Sequence, residues 1–147
     1  MNEYRMTRLR QTAQSRALLQ DTHLQASQFV MPLFINEQLK QKQEIAAMPG
    51  QYQLSLEDIA QEIDEISSLG IPAVLLFGIP AKKDALGSES FNSQGIIQQA
   101  IQKIRAVNKE ILIITDLCFC EYTDHGHCGA LKDKKIDNEK TLELLAK

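Results

Sequence analysis

Apolar residues recur at helical spacing most clearly in "SLEDIAQEIDEISSLG", residues 55–70. Ser55 is a suitable N-cap, acidic residues follow it in the first turn, and Gly70 is a suitable C-terminal stop. The pattern therefore predicts a helix from Ser55 to Gly70 with one buried face. That face is formed by Leu56, Ile59, Ala60, Ile63 and Ile66.

Two further segments have the pattern of a helix. Residues 96–107 carry apolar side chains on one side, and we expect that side to be buried. Its members are Ile96, Ile97, Ala100, Ile101, Ile104 and Val107. Later in the chain, "DNEKTLELLAK" (137–147) predicts a third helix, with Asp137 or Asn138 as its N-cap.

Three apolar runs predict β-strands. "FVMPLFI" at 29–35 has a strand-like composition, although Pro32 indicates an edge or a bulge. "AVLLFG" at 73–78 and "EILIITD" at 110–116 are apolar runs without alternation. That pattern is typical of parallel strands that are buried on both faces.

Two polar segments lie outside these elements. Residues 36–54, with a turn at Met48–Gly50, are long for a plain connection and are predicted to form a functional loop. Residues 1–28 are rich in arginine and poor in apolar side chains. This N-terminal segment is either a solvated terminus or an arm that docks on a partner subunit.

The elements alternate as strand, helix, strand, helix, strand, helix. The strand centres Leu33, Leu76 and Ile113 are separated by 43 and 37 residues, which suits the right-handed crossovers of a parallel α/β sheet. The absence of a glycine-rich phosphate turn after any strand disfavours a dinucleotide-binding fold. A (β/α)8 barrel would need eight strands, so a barrel with only three visible βα units would be incomplete.

The composition indicates a globular protein and argues against several other classes of protein. The 147 residues are 44% hydrophobic and 24% charged, which is typical of one globular domain rather than a disordered chain. A net charge of -3 argues against a nucleic-acid-binding surface, and no apolar run approaches the roughly 18 residues that span a membrane. The N-terminus has no secretory signal pattern, and three cysteines do not form a disulfide framework. We therefore expect a cytoplasmic, reduced protein.

The segment "TDLCFCEYTDHGHCGAL" (115–131) holds all three cysteines and two of the three histidines of the chain. If the preceding strand continues to Cys120, then Asp116, Cys118 and Cys120 project from the same face. They would lie at the carboxyl end of a parallel strand, where α/β proteins place their active sites. Cys128 would return to this point after a turn that Gly126 permits.

Several chemistries are open to this cluster. Two or three thiolates at one point suit zinc, and three protein ligands would leave a fourth position for water or substrate. A fourth ligand from His125 or His127 would instead close the site and make it structural. The cysteines could also be buried without any ligand, although the polar neighbours argue against that. A redox pair is disfavoured because C-x-C gives a strained disulfide.

At these residues the sequence resembles the zinc-dependent form of the porphobilinogen synthase family, also called delta-aminolevulinic acid dehydratase. "DLCFCEYTDHGHCG" is similar to the metal signature of that family nearly residue for residue. Four further segments fall in the family's order: "MPGQYQLS", "LGIPAVLLFGIP", "KKDALGSES" and "DNEKTLELL". The resemblance runs from about Arg5 to the last residue.

The resemblance implies a partial (β/α)8 barrel over residues 29–147 and an N-terminal arm over residues 1–28. In the family such an arm wraps a neighbouring subunit, usually within a homo-octamer. The implied reaction condenses two molecules of 5-aminolevulinate, with loss of two waters, to porphobilinogen for tetrapyrrole and heme synthesis.

The resemblance also implies the roles of residues in the cysteine segment. Cys118, Cys120 and Cys128 match the zinc ligands, and Asp116 matches an acidic residue beside the metal in the active site. His125 and His127 match family positions that do not ligate the metal directly. They are therefore predicted to support the residues that ligate it.

The chain also departs from the family pattern. The two lysines that form Schiff bases with the substrates, and the residues that hold the substrate carboxylates, lie in the second half of the barrel and have no match here. The sequence therefore resembles the N-terminal half of such an enzyme, and we expect it to bind zinc without catalysing the condensation. The lysines that it does contain are predicted to be solvated: Lys82, Lys83, Lys103, Lys109, Lys132, Lys134, Lys135, Lys140 and Lys147.

Two alternatives to an enzyme fragment follow from the missing lysines. One is a non-catalytic zinc-binding module with a closed Cys/His site, and the other is a truncated paralogue that acts by subunit exchange.

Three parallel strands without closing neighbours would expose a ladder edge. We therefore expect the isolated chain to be unstable as a monomer or to associate through its strand edges.

Overall fold

The sheet at the centre of the molecule has five strands. In this computed structural model, which describes residues 6–147, the spatial order of the strands is β2-β3-β1-β4-β5. All neighbours are parallel except the β2–β3 pair. The strands are β1 (Val30–Asn36), β2 (Gln43–Glu44), β3 (Tyr52–Leu54), β4 (Ala73–Ile79) and β5 (Leu112–Thr115).

Four α-helices and a small hairpin complete the fold. The three predicted helices are present, and each packs apolar residues against the rest of the fold. The prediction that Ala60 belongs to the buried face of the first helix was wrong, because its side chain is exposed. No helix within residues 6–147 is long and apolar enough to span a membrane. The elements are α1 (Ala13–Leu18), α2 (Ile59–Ser68), α3 (Ile96–Val107), α4 (Asn138–Leu145) and the hairpin β6 (Leu131–Lys132) and β7 (Lys135–Ile136).

The main core lies between the sheet and helices α2 and α3. Strands β1 and β4 run in register from Val30 beside Ala73 to Asn36 beside Ile79. Apolar side chains from both strands pack against the stripes of the two helices, and this burial is the main stabilising term of the fold. The predicted α/β class with a mostly parallel sheet is confirmed. The largest fully buried side chains here are Ile35, Leu54, Ile59, Ile63, Leu76, Ile96, Ile104 and Val74.

Pro32 is accommodated because β1 has two neighbours along only part of its length. Strand β3 pairs with β1 at Phe34 and Ile35, whereas β4 pairs with it from Val30 onward. At Pro32, opposite Leu75, the strand therefore has a single partner, and the missing N–H of proline interrupts no ladder on the other side. The edge character that Pro32 indicated is local to this part of the strand.

Residues 36–54, predicted to form a functional loop, are not a loop throughout. The segment contains β2 and β3, and β3 adds a parallel strand to the sheet beside β1. The predicted turn is present: the N–H of Gln51 donates to Met48 O at 2.9 Å, and Gly50 has a φ of 79°. Strands of two and three residues give too short an alternation to be recognised in the sequence.

Two boundaries in the helices differ from the prediction. The predicted N-cap Ser55 begins a turn that precedes α2, in which its hydroxyl donates to Asp58 Oδ2 at 2.7 Å and accepts the N–H of Glu57. The helix itself begins at Ile59. In α3 the prediction that Val107 is buried was wrong, because the helix ends there and the side chain is 46% exposed. Gly70 ends α2 as predicted, with a φ of 75°.

The prediction that the 110–116 run is buried on both faces was also wrong. Strand β5 pairs with β4 on one side and is the last strand of the sheet within the described residues. Leu112, whose side chain projects from one face of the strand, is 58% exposed. The strand also ends at Thr115, so the predicted continuation to Cys120 is replaced by a loop.

Of the predicted N-terminal arm, residues 1–5, including Arg5, lie outside the described part of the chain. Residues 6–28 form two short 3-10 helices, Met6–Arg10 and Ala26–Gln28, on either side of α1. Helix α1 buries none of its residues, and Leu18 and Leu24 are 85% and 75% exposed. The division of the chain into arm and barrel stays a prediction.

Candidate metal centre

The three cysteine sulfurs converge in the loop that follows β5 at the carboxyl edge of the sheet. Cys118 Sγ lies 3.1 Å from Cys120 Sγ, and the sulfurs of Cys118, Cys120 and Cys128 all lie within 4.8 Å of one another. Cys118 and Cys120 are half-buried and Cys128 is exposed, and none forms a disulfide. The cluster is therefore reachable from solvent, unlike three buried cysteines in an apolar core.

A tight turn brings Cys118 and Cys120 together, not the alternation of a strand. The carbonyl of Phe119 accepts the N–H groups of both Tyr122 and Thr123 at 2.9 Å, which closes the turn directly after the C-x-C pair. The Phe119 ring is 2% exposed and packs on α4 residue Leu144 in a second, smaller apolar cluster. The buried ring anchors the turn, and the two thiols that flank it remain at the surface.

Cys128 reaches the other two thiols because the chain folds back on itself. Gly126 has a φ of 72°, a conformation that favours glycine. The buried hydroxyl of Thr123 donates to His127 O at 2.9 Å and holds the two limbs of the loop together. Beyond Cys128, a side chain at Gly129 would meet Thr141 Oγ1 at 2.5 Å, so α4 lies directly against the returning chain.

His125 has a structural role in this loop. Its Nδ1 accepts the N–H of His127 at 3.1 Å, so the neutral ring carries its proton on Nε2. Nε2 lies 3.3 Å from Ala85 O and donates to it. Both ring nitrogens are engaged by the backbone, and neither is free to bind a metal. His127 lies 5.5 Å from His125, measured between ring centroids, and does not belong to the group of sulfurs.

The pKa values of the three thiols shift in different directions. Burial opposes ionisation of Cys118, but hydrogen bonds from the backbone N–H and thiol of Cys120 lower the pKa of Cys118 overall. The hydrogen bond to Cys118 raises the pKa of Cys120 to about 12, with burial adding to the effect. A hydrogen bond to Cys118 also raises the pKa of Cys128. Cys118 is thus the first thiolate of the three, and a cation would replace the shared protons.

The sulfur positions fit a zinc ion. A tetrahedral zinc with Zn–S distances of about 2.3 Å places its sulfurs roughly 3.8 Å apart. The observed spacing, from 3.1 Å for the C-x-C pair to at most 4.8 Å within the group, brackets that value. Small side-chain rotations would therefore complete a three-sulfur site, and the donor set is that of a soft metal.

Carboxylates and a phenol lie beside the sulfurs. Glu121 Oε2 accepts the N–H of Gly78, the penultimate residue of β4, at 3.2 Å. Burial raises the pKa of Glu121, and the nearby Asp116 raises it further. Burial likewise raises the pKa of Tyr122 to about 12, with contributions from Glu121 and Asp116. Asp116, predicted to lie beside the metal, is therefore close enough to these groups and to Cys118 to influence their ionisation.

These groups line a cleft of about 330 Å³. Asp116, Cys118, Glu121 and Tyr122 line it together with mostly apolar side chains of α3 and α4. The cleft opens beside the thiols, so a small molecule in it would lie next to the sulfur cluster. Such mixed polar and apolar lining is typical of small-molecule sites.

The lysines are distributed as predicted. Eight of the nine that the sequence analysis named are exposed, and the ninth, Lys103, is half-buried and donates to Glu57 Oε1 at 2.9 Å. Lys147 lies at the margin of the cleft, with its Nζ 5.1 Å from the centre of the Phe91 ring.

Two residues that support the cysteine loop were not singled out by sequence reasoning. One is Glu121, through its bond to Gly78, and the other is Asp84, which pairs with the loop through its backbone. Asp84 belongs to the segment "KKDALGSES", whose resemblance to the family predicts no contact with the cysteine loop. Such polar contacts between loops leave no periodic trace in the sequence.

Comparison with known proteins gives one consistent result. The family model described as "Delta-aminolevulinic acid dehydratase" matches residues 3–147. Curated proteins of that name include one from Halalkalibacterium halodurans, 46% identical over 143 residues, and one from Helicobacter pylori, 47% identical over 142 residues. These matches cover 97% and 96% of this chain and 44% of each relative. The chain thus spans less than half the length of these two proteins.

A solved structure agrees with the sequence matches. It is the delta-aminolevulinic acid dehydratase (porphobilinogen synthase) of Toxoplasma gondii ME49, in complex with the reaction product porphobilinogen. The TM-score is 0.88 at 31% sequence identity, and the match covers 96% of this chain and 41% of the other.

Proposed function

Because the chain belongs to the delta-aminolevulinic acid dehydratase family, we propose that it supplies the metal site of a porphobilinogen synthase. The proposed reaction is the condensation of two 5-aminolevulinate molecules to porphobilinogen with loss of two waters, in tetrapyrrole and heme synthesis. The observation that carries the proposal is the convergence of three sulfurs beside a cleft that Asp116 lines.

The proposed ligands of the ion are Cys118, Cys120 and Cys128, and the proposed ion is Zn²⁺. Three sulfurs leave one coordination position for water or substrate, as in catalytic zinc sites. When bound, zinc would act there as a Lewis acid on an oxygen atom of the substrate. Asp116 and Glu121, which line the same cleft as Cys118, would place negative charge near the bound metal, and the apolar residues of the lining would limit the access of water.

A closed Cys/His module is the alternative that the site geometry disfavours. Both ring nitrogens of His125 are hydrogen-bonded to backbone groups. His127 lies outside the group of metal-ligating atoms within residues 6–147. A fourth protein ligand would therefore require the loop to be rebuilt.

The remaining parts of the activity are proposed to need more than these 147 residues. The family lysines that form Schiff bases have no match in the sequence, so we expect the chain alone to be inactive. We also propose that residues 1–28 dock on another subunit of a cytoplasmic homo-oligomer, an octamer in the family. The exposed leucines of residues 6–28 support this role, because a docking arm buries such side chains only in the assembly.

Metal analysis tests the proposed site. We expect the chain to carry about one zinc, and Cys118→Ala combined with Cys120→Ala to abolish zinc binding because only one thiolate remains. An Asp64→Ala variant, at an exposed position on α2, is the control and should retain the metal. Absence of zinc from the wild type, or its retention by the double variant, would refute the site.

Borohydride trapping tests the proposal that no lysine of this chain forms a Schiff base with the substrate. Treatment with 5-aminolevulinate and borohydride should leave the mass of this chain unchanged, because no lysine here matches the family's Schiff-base lysines. A covalent adduct of one substrate molecule would show that a lysine of this chain takes part. Lys147, at the margin of the cleft, is the residue to examine first in that event.

A further inference from the structure

The loop after β4 lies directly against the cysteine loop. The N–H of Asp84 donates to Tyr122 O at 3.3 Å, and the N–H of Asp124 donates to Asp84 O at 3.2 Å, forming a parallel bridge. Within the described residues these are the two backbone–backbone hydrogen bonds that tie residues 117–128 to another segment. Both of them use Asp84.

The side chain of Asp84 shapes the loop that carries this bridge. Its Oδ1 accepts the N–H groups of Leu86 at 2.8 Å and Ser88 at 3.1 Å, and its carbonyl also accepts the N–H of Gly87. The carboxylate therefore gathers residues 84–88 into a compact turn. Such a turn holds the backbone of Asp84 in one orientation toward Tyr122 and Asp124.

Two further contacts place this turn under the thiols. A Cβ added at Gly87, whose φ is 63°, would lie 2.8 Å from Cδ1 of Phe119, the residue between the C-x-C cysteines. Ala85 O accepts the proton of His125 Nε2 at 3.3 Å. Residues 84–88 therefore contact the cysteine loop within its tight turn and after it.

We propose that Asp84 is a positioning residue for the metal centre. Its carboxylate shapes residues 84–88 into a template, and the cysteine loop folds on that template with its three sulfurs already converged. The metal then binds without first ordering the loop, which raises its affinity. This inference rests on the proposed function, because it presupposes that the cysteines bind a divalent metal.

Cobalt titration of the full 147-residue chain tests the inference. Co²⁺ reports both affinity, in competition with a chelator, and geometry, through its thiolate charge-transfer and ligand-field bands. We expect Asp84→Ala to weaken Co²⁺ binding by about tenfold or more, the range usual for residues that orient ligands. Asp84→Asn keeps an acceptor oxygen for Leu86 and Ser88, so it should restore most of the affinity and the wild-type spectrum.

A pair of glycine variants probes the same contact independently. Gly87→Ala should weaken cobalt binding, because the added Cβ pushes the template away from Phe119. Gly50→Ala is the matched control: its φ is 79°, so the backbone strain is alike, but no atom lies within 4 Å of its Cβ. We expect Gly50→Ala to bind cobalt as the wild type does.

The outcomes separate the inference from the proposed function. A wild-type chain without a thiolate–cobalt band ends both. If the wild type binds cobalt and Asp84→Ala binds it with equal affinity and the same spectrum, only the positioning role of Asp84 is overturned. Equal losses of cobalt affinity in Asp84→Ala and Asp84→Asn would overturn that role as well. If Asp84→Ala does not fold by circular dichroism, the glycine pair decides, and equal affinities for Gly87→Ala and Gly50→Ala overturn the inference.

Discussion

The two apolar clusters of the molecule differ in size and in what they hold in place. The main core joins β1, β4, α2 and α3 through thirteen buried side chains. The smaller cluster has three, Phe119, Ala130 and Leu144, and lies beneath the cysteine loop. The main core determines the fold, whereas the smaller cluster and its hydrogen bonds determine where the thiols point. Substitutions in the two clusters should therefore differ in their effect on metal binding.

The largest expected effect on stability is in the main core. Leu76, on β4, is 1% exposed, and Leu76→Ala should lower the free energy of unfolding by about 2–5 kcal/mol because it leaves a cavity. Urea denaturation measures this, with Leu112→Ala on exposed β5 as the control, for which we expect less than about 1 kcal/mol. Equal losses would show that the two strands are buried alike in solution.

A substitution in the smaller cluster should also change metal binding. Phe119→Ala removes the ring that anchors the tight turn, so we expect zinc affinity to fall by about tenfold, as for other residues that orient metal ligands. The free energy of unfolding should fall as well, because the lost ring leaves a cavity in the smaller cluster. The measurement is chelator competition on folded protein. A Phe119→Ala variant that loses stability but binds zinc normally would contradict the anchoring role of the ring.

The comparison of β4 with β5 shows how far the sequence predicts the fold. Both strands are unbroken apolar runs, and the helices and their order followed from periodicity. Burial did not follow for β5, because it depends on which elements pack on the two faces of a strand. Leu76 of β4 is 1% exposed, whereas Leu112 of β5 is 58% exposed. The short strands β2 and β3 were missed because they contain too few residues for a pattern.

A smaller effect is expected at the exposed edge of β5. If the isolated chain associates through this ladder edge, Leu112→Lys should shift it toward monomer, because a charge on an edge strand opposes pairing. Sedimentation velocity over a range of concentrations measures the shift. The control is Leu69→Lys, at a similarly exposed leucine after α2. Identical behaviour of the two variants would remove β5 as the site of association.

The cysteine cluster was predictable in its residues but not in its construction. The spacing of the three cysteines and the resemblance to a known family pointed to the same thiols that the structure brings together. The predicted cause of their convergence, a continued strand, was wrong. Strand β5 ends at Thr115, and a turn at Phe119 brings the thiols together. Asp84 and Glu121 were not predicted as supports, because contacts between loops depend on the folded arrangement of both segments.

The most direct test of the account is the X-ray absorption spectrum of the zinc-loaded chain. We expect three sulfur neighbours at about 2.3 Å and one oxygen neighbour from an exchangeable ligand. The sulfur contribution should decrease by one in a Cys128→Ser variant. A spectrum with a histidine nitrogen in place of the oxygen would indicate a closed site, and a spectrum without sulfur neighbours would contradict the claim that these cysteines hold the metal.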